Sequence, residues 1–452
     1  MPAALDQVFK AYDVRGVYPD QLDEELAERV GRAFVALTGA GTLAIGQDMR
    51  PSSKPMADAL AAGATSQGAD VLRVGLCSTD MLYYVSGALD VAGVMLTASH
   101  NPAQYNGLKL CRPGAVPVGE DSGLADIKRM VAAGEPAAVA ERRGRERQAD
   151  NLLERYAAHV RSFADTAAQR PLKVVADAGN GMAGHVVPAV FAGLPFQLVS
   201  MYFELDGSFP NHPADPLNPE NLRELQARVV AEGADVGLAF DGDADRVFLV
   251  DEQGATVPSS LVGALVARLM CEREPGATVL YNLICSRVVP ETIREAGGVP
   301  VRTRVGHSFI KGVMAETGAV FGCEHSGHYY FRDNYRADSG LIAALVALDA
   351  LSRAGRPLSE VLAPYRRYAA SGEVNRRVDG NPREVIQAVA ARYPAERSDF
   401  ADGLTVEGGD WWFNLRPSNT EPLLRLNVEA ATEAEMARVR DEVLEAVGGE
   451  PA

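Results

Sequence analysis

Along most of this chain, short apolar runs of strand length alternate with longer helix-length stretches, and that alternation confines the fold to sheets layered with helices. Residues 42–46 (TLAIG), 71–75 (VLRVG) and 91–96 (VAGVML) are such runs, separated by Ala-rich stretches. Ahead of them, Leu22, Leu26, Val30, Phe34 and Leu37 recur every three or four residues from Asp20 and stop at Gly39, which predicts a capped amphipathic helix. The rhythm breaks in a charged stretch, 141–150, expected to hold no strand, and restarts with KVVAD (173–177) before DAGNGMAG and an apolar helix. A third cycle runs from Leu261 through TVLYNLI and VPVRTRV to a helix over 339–354. After Tyr368 the order becomes strand (373–378), helix (382–393), three strands and a final helix from Thr432, with Gly408-Gly409 as a hairpin turn. The expected fold is three consecutive α/β domains with mixed, helix-layered sheets, then a C-terminal α+β domain. Their expected bounds are 1–148, 149–252, 253–366 and 367–452.

Composition narrows the function. A chain of 452 residues accommodates four domains as easily as two. Its net charge of −16 repels a nucleic-acid backbone or an anionic membrane, so neither is expected as a partner. A small anionic substrate remains compatible, since a few Arg and Lys converging in a cleft reverse the sign locally. Cys77, Cys111, Cys271, Cys285 and Cys323 are odd in number, widely spaced and free of any Cys-x-x-Cys pair, which fits a reducing compartment and points to no zinc site. The first residues lack an apolar signal core and the longest apolar runs are too short to span a bilayer, so the expected location is cytoplasmic.

Four loops carry the chemistry. Thr97-Ala98-Ser99-His100-Asn101-Pro102 follows a strand, and ligands bind at the carboxyl ends of strands in open α/β sheets. Ser99 and Asn101 are also ordinary turn residues before proline. A hydrolase couple is disfavoured, because Ser99 and His100 are sequence neighbours and no G-x-S-x-G occurs. Asp241-Gly242-Asp243-Ala244-Asp245-Arg246 puts three carboxylates in one turn after the apolar run 236–240, an arrangement best explained by a hard divalent cation, with a solvated acidic turn as the alternative. An EF-hand is excluded because Arg246 stands where its sixth-position glycine belongs. Cys323-Glu324-His325-Ser326-Gly327-His328 gathers a carboxylate, a hydroxyl and imidazoles suited to vicinal sugar hydroxyls, and it lacks the helical context of a zinc H-E-x-x-H site. Arg416-Pro417-Ser418-Asn419-Thr420-Glu421, expected in a loop with Arg425 on the next strand, has the donors that grip a phosphate, or makes a polar hairpin. Tyr12, Asp13 and Arg15, and Arg304, His307 and Lys311, add further donors.

In order and spacing, TASHNP with Tyr105, Asn106, Gly107 and Lys109 behind it, then DGDADR, CEHSGH and RPSNTEP resemble the α-D-phosphohexomutase family over nearly the whole chain, and most of all its bacterial phosphomannomutase/phosphoglucomutase group. The resemblance implies four domains around a central cleft, each supplying one loop. It implies a phosphorylated Ser99 that joins Asp241, Asp243 and Asp245 around one magnesium ion, with Arg15, His100, Lys109 and Arg246 supporting phosphoryl transfer. Glu324, Ser326 and His328 would then read sugar hydroxyls, and Arg416, Ser418, Asn419 and Thr420 would hold the non-reacting phosphate, with Tyr12 and Arg425 as further substrate-binding residues. The expected reaction interconverts hexose 1-phosphate and hexose 6-phosphate, mannose and also glucose, through a hexose 1,6-bisphosphate, in a monomer or small homo-oligomer. A phosphoglucosamine mutase, a metal-dependent sugar phosphatase and a catalytically idle sugar-phosphate binder are the alternatives. Two residues depart from the family pattern: Cys323 replaces a glycine, and Ile284 replaces a lysine proposed in relatives as the acid/base, which passes that expectation to His307.

Overall fold

The computed structural model describes residues 2–136, 138–165, 169–378, 380–418 and 423–451. The first long helix, Glu24–Thr38, starts later than its apolar repeat, because the Asp23 side chain accepts from the Leu26 amide at 2.8 Å and caps it. Such a cap stabilises by about 1 kcal/mol, and it leaves Leu22 buried but outside the helix. Gly39 ends the helix in the left-handed conformation at φ 65°.

Three sheets share one construction. In the first, Ala92–Leu96 and Asp70–Leu76 flank Thr42–Gln47 in parallel, and Tyr105–Arg112 returns antiparallel beside Ala92–Leu96. In the second, Leu172–Asp177 lies parallel to Phe196–Met201 and Val236–Phe240, and Val247–Asp251 returns antiparallel. In the third, Thr278–Asn282 lies parallel to Val299–Thr303 and Phe321–Cys323, and Tyr329–Phe331 returns antiparallel. Each time the motif loop is the hairpin between a parallel strand and its antiparallel return. The loops beginning at Thr97, Asp241 and Glu324 therefore occupy the same topological position.

The stretch expected to be strandless holds one strand, Glu146–Gln148, which pairs in parallel with Asp70–Leu76. It is exposed and polar, so no hydrophobic alternation announces it. What forms it is the open backbone edge of its partner, an edge that proteins tend to cover, with the Arg73 side chain 2.8 Å from Glu146.

The fourth sheet is antiparallel throughout, in the order Ser398–Asp399, Leu404–Glu407, Trp411–Pro417, Leu424–Ala430, Ala369–Arg377 and Glu450–Pro451, with helices Pro382–Ala390 and Glu433–Val447 packed on it. Its apolar core is its own. By contrast, one continuous core runs through the first three units, from Met95 through Tyr156 and Val186 to Leu345. Helix Gly340–Ala354 is buried nearly all round, which accounts for its lack of a polar face.

Asp80 ties these three units together. At the start of helix Thr79–Leu89, its carboxylate accepts from Tyr156 Oη and Ser339 Oγ, both at 2.5 Å, and from Ser78 Oγ. Burial pushes its pKa up to about 7, although the three hydroxyls pull it down. A raised folded-state pKa means that the native state holds a proton the unfolded chain has released, so this group's contribution falls as pH rises from 3.8 towards 7. The parent should therefore gain melting temperature relative to Asp80→Asn as pH is lowered through that window, and scanning calorimetry of both proteins across it checks the sign.

Candidate active site

The chemistry converges where the first and second sheets meet. Ser99 sits in the left-handed region at φ 51°, an uncommon place for a side chain that costs of order 1–3 kcal/mol. From there its Oγ donates to Asp241 Oδ2 at 2.6 Å. Gly242 permits this approach: a Cβ there would lie 2.4 Å from the Ser99 carbonyl oxygen. Arg246 closes the other side, with Nε 2.9 Å from Asp241 Oδ2 and Nη2 2.5 Å from His100 Nδ1. His100 Nδ1 is also 3.3 Å from Ser99 Oγ. Burial and the Arg246 charge hold His100 well below its ordinary pKa, so its imidazole is neutral.

Asp241, Asp243 and Asp245 offer oxygens that all lie within 4.8 Å of one another. Lys109 Nζ bridges Asp243 Oδ2 at 2.7 Å and Asp245 Oδ2 at 2.6 Å. Burial pushes the Asp243 pKa up, but Lys109 outweighs it and holds that carboxyl below the usual range. Burial and the other two aspartates drive Asp241 the opposite way, to about 7, despite Arg246. One oxygen each of Asp243 and Asp245 is buried without a hydrogen-bond partner. Buried carboxylate oxygens without donors are costly. Hard oxygen donors crowded in this way fit a small divalent cation such as magnesium.

The third sheet's loop reaches the same place. Glu324 Oε1 accepts from the Gly306 amide at 3.1 Å and Oε2 from Ser326 Oγ at 3.0 Å, while His328 Nδ1 lies 3.4 Å from Oε2. His328 Nε2 is 3.8 Å from Asp245 Oδ1, which joins this loop to the aspartates. Burial would lower the His328 pKa, but Glu324 and Asp245 raise it overall. Arg15 orders the Ser99 loop from the side, with Nη1 2.6 Å from Asn101 Oδ1 and Nη2 2.5 Å from Asp13. Tyr12 stands edge-on to Phe309, and together with Arg304 and Asp402 they line a cleft of about 500 Å³ where the first, third and fourth units meet.

Arg416 lies on strand Trp411–Pro417, where a loop residue was expected, because the hairpin pairing extends to Pro417 and sets Arg416 directly opposite Arg425. Two like charges face to face need a counter-ion. Glu373 provides it, 3.1 Å from Arg416 and 3.0 Å from Arg425. Ser418 follows the strand. Asn419 and Thr420 lie outside the described residues, as does the side chain of His307, which begins helix His307–Thr317. Lys311, grouped by sequence with the cleft donors, is instead buried 3.9 Å over the Tyr83 ring and 3.0 Å from Asp338. Ile284 is packed with Leu283 and Trp412 in an apolar cluster between the third and fourth units.

Models of one family match the chain in four successive segments: phosphoglucomutase/phosphomannomutase α/β/α domain I at residues 6–137, domain II at 154–254, domain III at 258–368 and the C-terminal domain at 373–446. The chain belongs to the phosphoglucomutase/phosphomannomutase family. It is 41% identical to "Phosphohexose mutases" of Xanthomonas campestris over 96% of this chain and 97% of that one. It is 38% identical to a phosphomannomutase of Escherichia coli strain K12 over the same shares. Among solved structures, a phosphoglucomutase/phosphomannomutase family protein of Burkholderia thailandensis superposes with a TM-score of 0.89 at 32% identity, covering 98% of this chain and 99% of that one. As a member of this family the chain is an isomerase. No helix among the described residues is long and apolar enough to cross a membrane.

Three residues that shape this candidate site carry no motif in the sequence. Thr79 donates its amide to the Asp243 carbonyl at 3.0 Å and its hydroxyl to Asp243 Oδ2 at 2.5 Å, and Glu373 pairs the two arginines. Arg50 is buried against the Ser99 loop. A signal for Arg50 was present, because Asp48 and Arg50 follow the carboxyl end of strand Thr42–Gln47, the same position that singles out Ser99.

Proposed function

We propose that the chain is a phosphohexomutase that interconverts hexose 1-phosphate and hexose 6-phosphate through a phosphoserine at Ser99 and a 1,6-bisphosphate that turns end over end in the cleft. The observation that carries this reading is Ser99 Oγ 2.6 Å from Asp241, inside a triad of buried carboxylates with two orphaned oxygens. Asp241, Asp243 and Asp245 would hold magnesium together with the Ser99 phosphate, and bound there it neutralises the transferring phosphoryl oxygens.

The chain's own groups do the rest. Ser99 Oγ presents the phosphoryl group, and Lys109, paired with Asp243 and Asp245, and Arg246, paired with Asp241, offset the charge that builds on it. His100, neutral and 3.3 Å away, keeps Ser99 Oγ oriented without adding charge. Glu324, Ser326 and His328 orient the sugar through its hydroxyls, while Arg416, Ser418, Asn419, Thr420 and Arg425 hold the distal phosphate, with Tyr12 and Arg15 across the cleft. His307 is our choice for the group that takes the proton of the attacking hydroxyl, since Ile284 is apolar. Each loop then comes from one of the domains drawn at 1–148, 149–252, 253–366 and 367–452.

Mannose phosphate is the substrate we favour, in line with the name of the Escherichia coli relative, a phosphomannomutase. A bisphosphate read in two orientations by one set of groups must be held by hydroxyls that look alike after the flip, the 3- and 4-hydroxyls. The 2-hydroxyl, where mannose and glucose differ, is then weakly read, and little discrimination follows. Specificity constants for mannose 1-phosphate and glucose 1-phosphate should differ by less than about a thousandfold, or ~4 kcal/mol. A wider gap measured on the purified enzyme, or a preference for glucosamine phosphate, would refute the substrate assignment.

A further inference from the structure

Arg50 is 2% exposed, and every direction its guanidinium faces is filled. Nη2 donates to the carbonyls of Ser99 at 2.8 Å and Asn101 at 2.7 Å; Nη1 donates to those of Pro102 at 2.8 Å and Tyr105 at 3.0 Å. Nε is 3.2 Å from Asp48 Oδ2, and the Arg50 amide donates to Asp48 Oδ1 at 3.0 Å. Asp48 Oδ1 also accepts from Ser53 Oγ at 2.5 Å, so the carboxylate is fixed in turn. From the second unit, the Phe209 ring lies 5.0 Å from the guanidinium carbon, and Gly207 leaves no room for a Cβ, which would lie 2.5 Å from the Arg50 Cα.

We propose that Arg50 is a positioning residue for phosphoryl transfer: it gathers the carbonyls of the Ser99 loop and so holds Ser99 in its left-handed conformation, aimed at Asp241. Four carbonyl oxygens turned to one side repel each other unless a cation with several fixed donors lies among them, and a planar guanidinium meets that need where an ammonium on a flexible stem does not. Ser99 has no glycine's freedom to remain at φ 51° by itself, so the geometry of its Oγ is imposed from behind. Arg50 touches neither the Ser99 hydroxyl nor the carboxylate triad in any hydrogen bond described, and acts through the loop backbone.

The inference rests on Ser99 as the phosphoryl carrier, and the experiment separates the two. In Arg50→Lys, kcat per folded molecule should fall by about a hundredfold, the cost of a misplacement near 1 Å. KM for hexose 1-phosphate should stay within about threefold, because the groups assigned to the substrate are untouched. Guanidinium ion at millimolar concentration should restore part of the kcat of Arg50→Ala, and methylammonium should not. A kcat in Arg50→Lys within about threefold of the parent overturns the proposal, as does equal rescue by both cations. Should the Arg50 variants fail to fold, Asp48→Asn, which places an amide NH2 among donors, must show the same selective loss of kcat for the proposal to stand. Ser99→Ala serves as the control: if it turns over normally, the phosphoserine reading has failed, whereas an inactive Ser99→Ala beside a fully active Arg50→Lys refutes Arg50 alone.

Discussion

Ser99→Ala is expected to abolish mutase turnover, with kcat down by on the order of 10⁴ or more, as when a covalent nucleophile is removed. The protein should stay folded. Ser99 and alanine are equally strained at φ 51°, and Asp241 Oδ2, which loses the serine hydroxyl, keeps Arg246 Nε at 2.9 Å. The loop itself remains tied through the Ser99 carbonyl to Arg50 at 2.8 Å. Loss of activity alone does not separate a nucleophile from a positioning hydroxyl, so the decisive companion is intact mass. The parent incubated with hexose 1,6-bisphosphate should carry one phosphate, and the variant none. Turnover in the variant with bisphosphate present, or a parent never found phosphorylated, would defeat the assignment.

The second large effect is on metal. Exhaustive chelation should remove activity, and magnesium should restore it, since the transferring phosphoryl group would otherwise face three buried carboxylates with only Lys109 and Arg246 to offset them. The fold should survive chelation for the same reason: those two cations already neutralise most of the triad, and Thr79 holds Asp243 at 2.5 Å. Asp243→Asn should raise the magnesium concentration needed for half-maximal activity by roughly tenfold or more, about 1.4 kcal/mol. It also removes the charge that Lys109 pairs with at 2.7 Å. Titrating activity against free magnesium in parent and variant measures the shift. Activity that persists in the chelated protein would rule out the metal role altogether.

The three α/β units were legible because central strands such as Ala92–Leu96 and Val236–Phe240 are buried along their whole length and the motif loops after them are polar. Residues 236–240 read as a strand from composition alone, and the structure gives Val236–Phe240, every residue buried. Glu146–Gln148 was illegible because nothing in an exposed Glu-Arg-Gln marks it, and its pairing partner lies far back in the chain. The apolar repeat predicts a start for helix Glu24–Thr38 that is too early, because such a repeat does not say where a cap interrupts it, and Asp23 does so one residue after Leu22. The motif at Arg416 reads as a loop because strand register depends on the partner strand, and the pairing Arg416 to Arg425 carries the strand through Pro417.

For the site, the sequence by itself determined which groups are available. Ser99, the three aspartates, Glu324, Ser326, His328 and Arg416 stand in short motifs whose chemistry depends on residues a few positions apart, and local spacing survives any tertiary arrangement. Only the tertiary structure decided which of these groups meet and what holds them. Ser99 and Asp241 touch across 142 residues, Thr79 and Asp243 across 164, and Arg50 reaches the Ser99 carbonyl across 49. Such contacts leave no periodicity and no motif, because they are fixed by how separate sheets pack. The place of Arg50 after a strand's carboxyl end marks it as near a ligand site, but only its burial, and the four carbonyls around it, show what it holds.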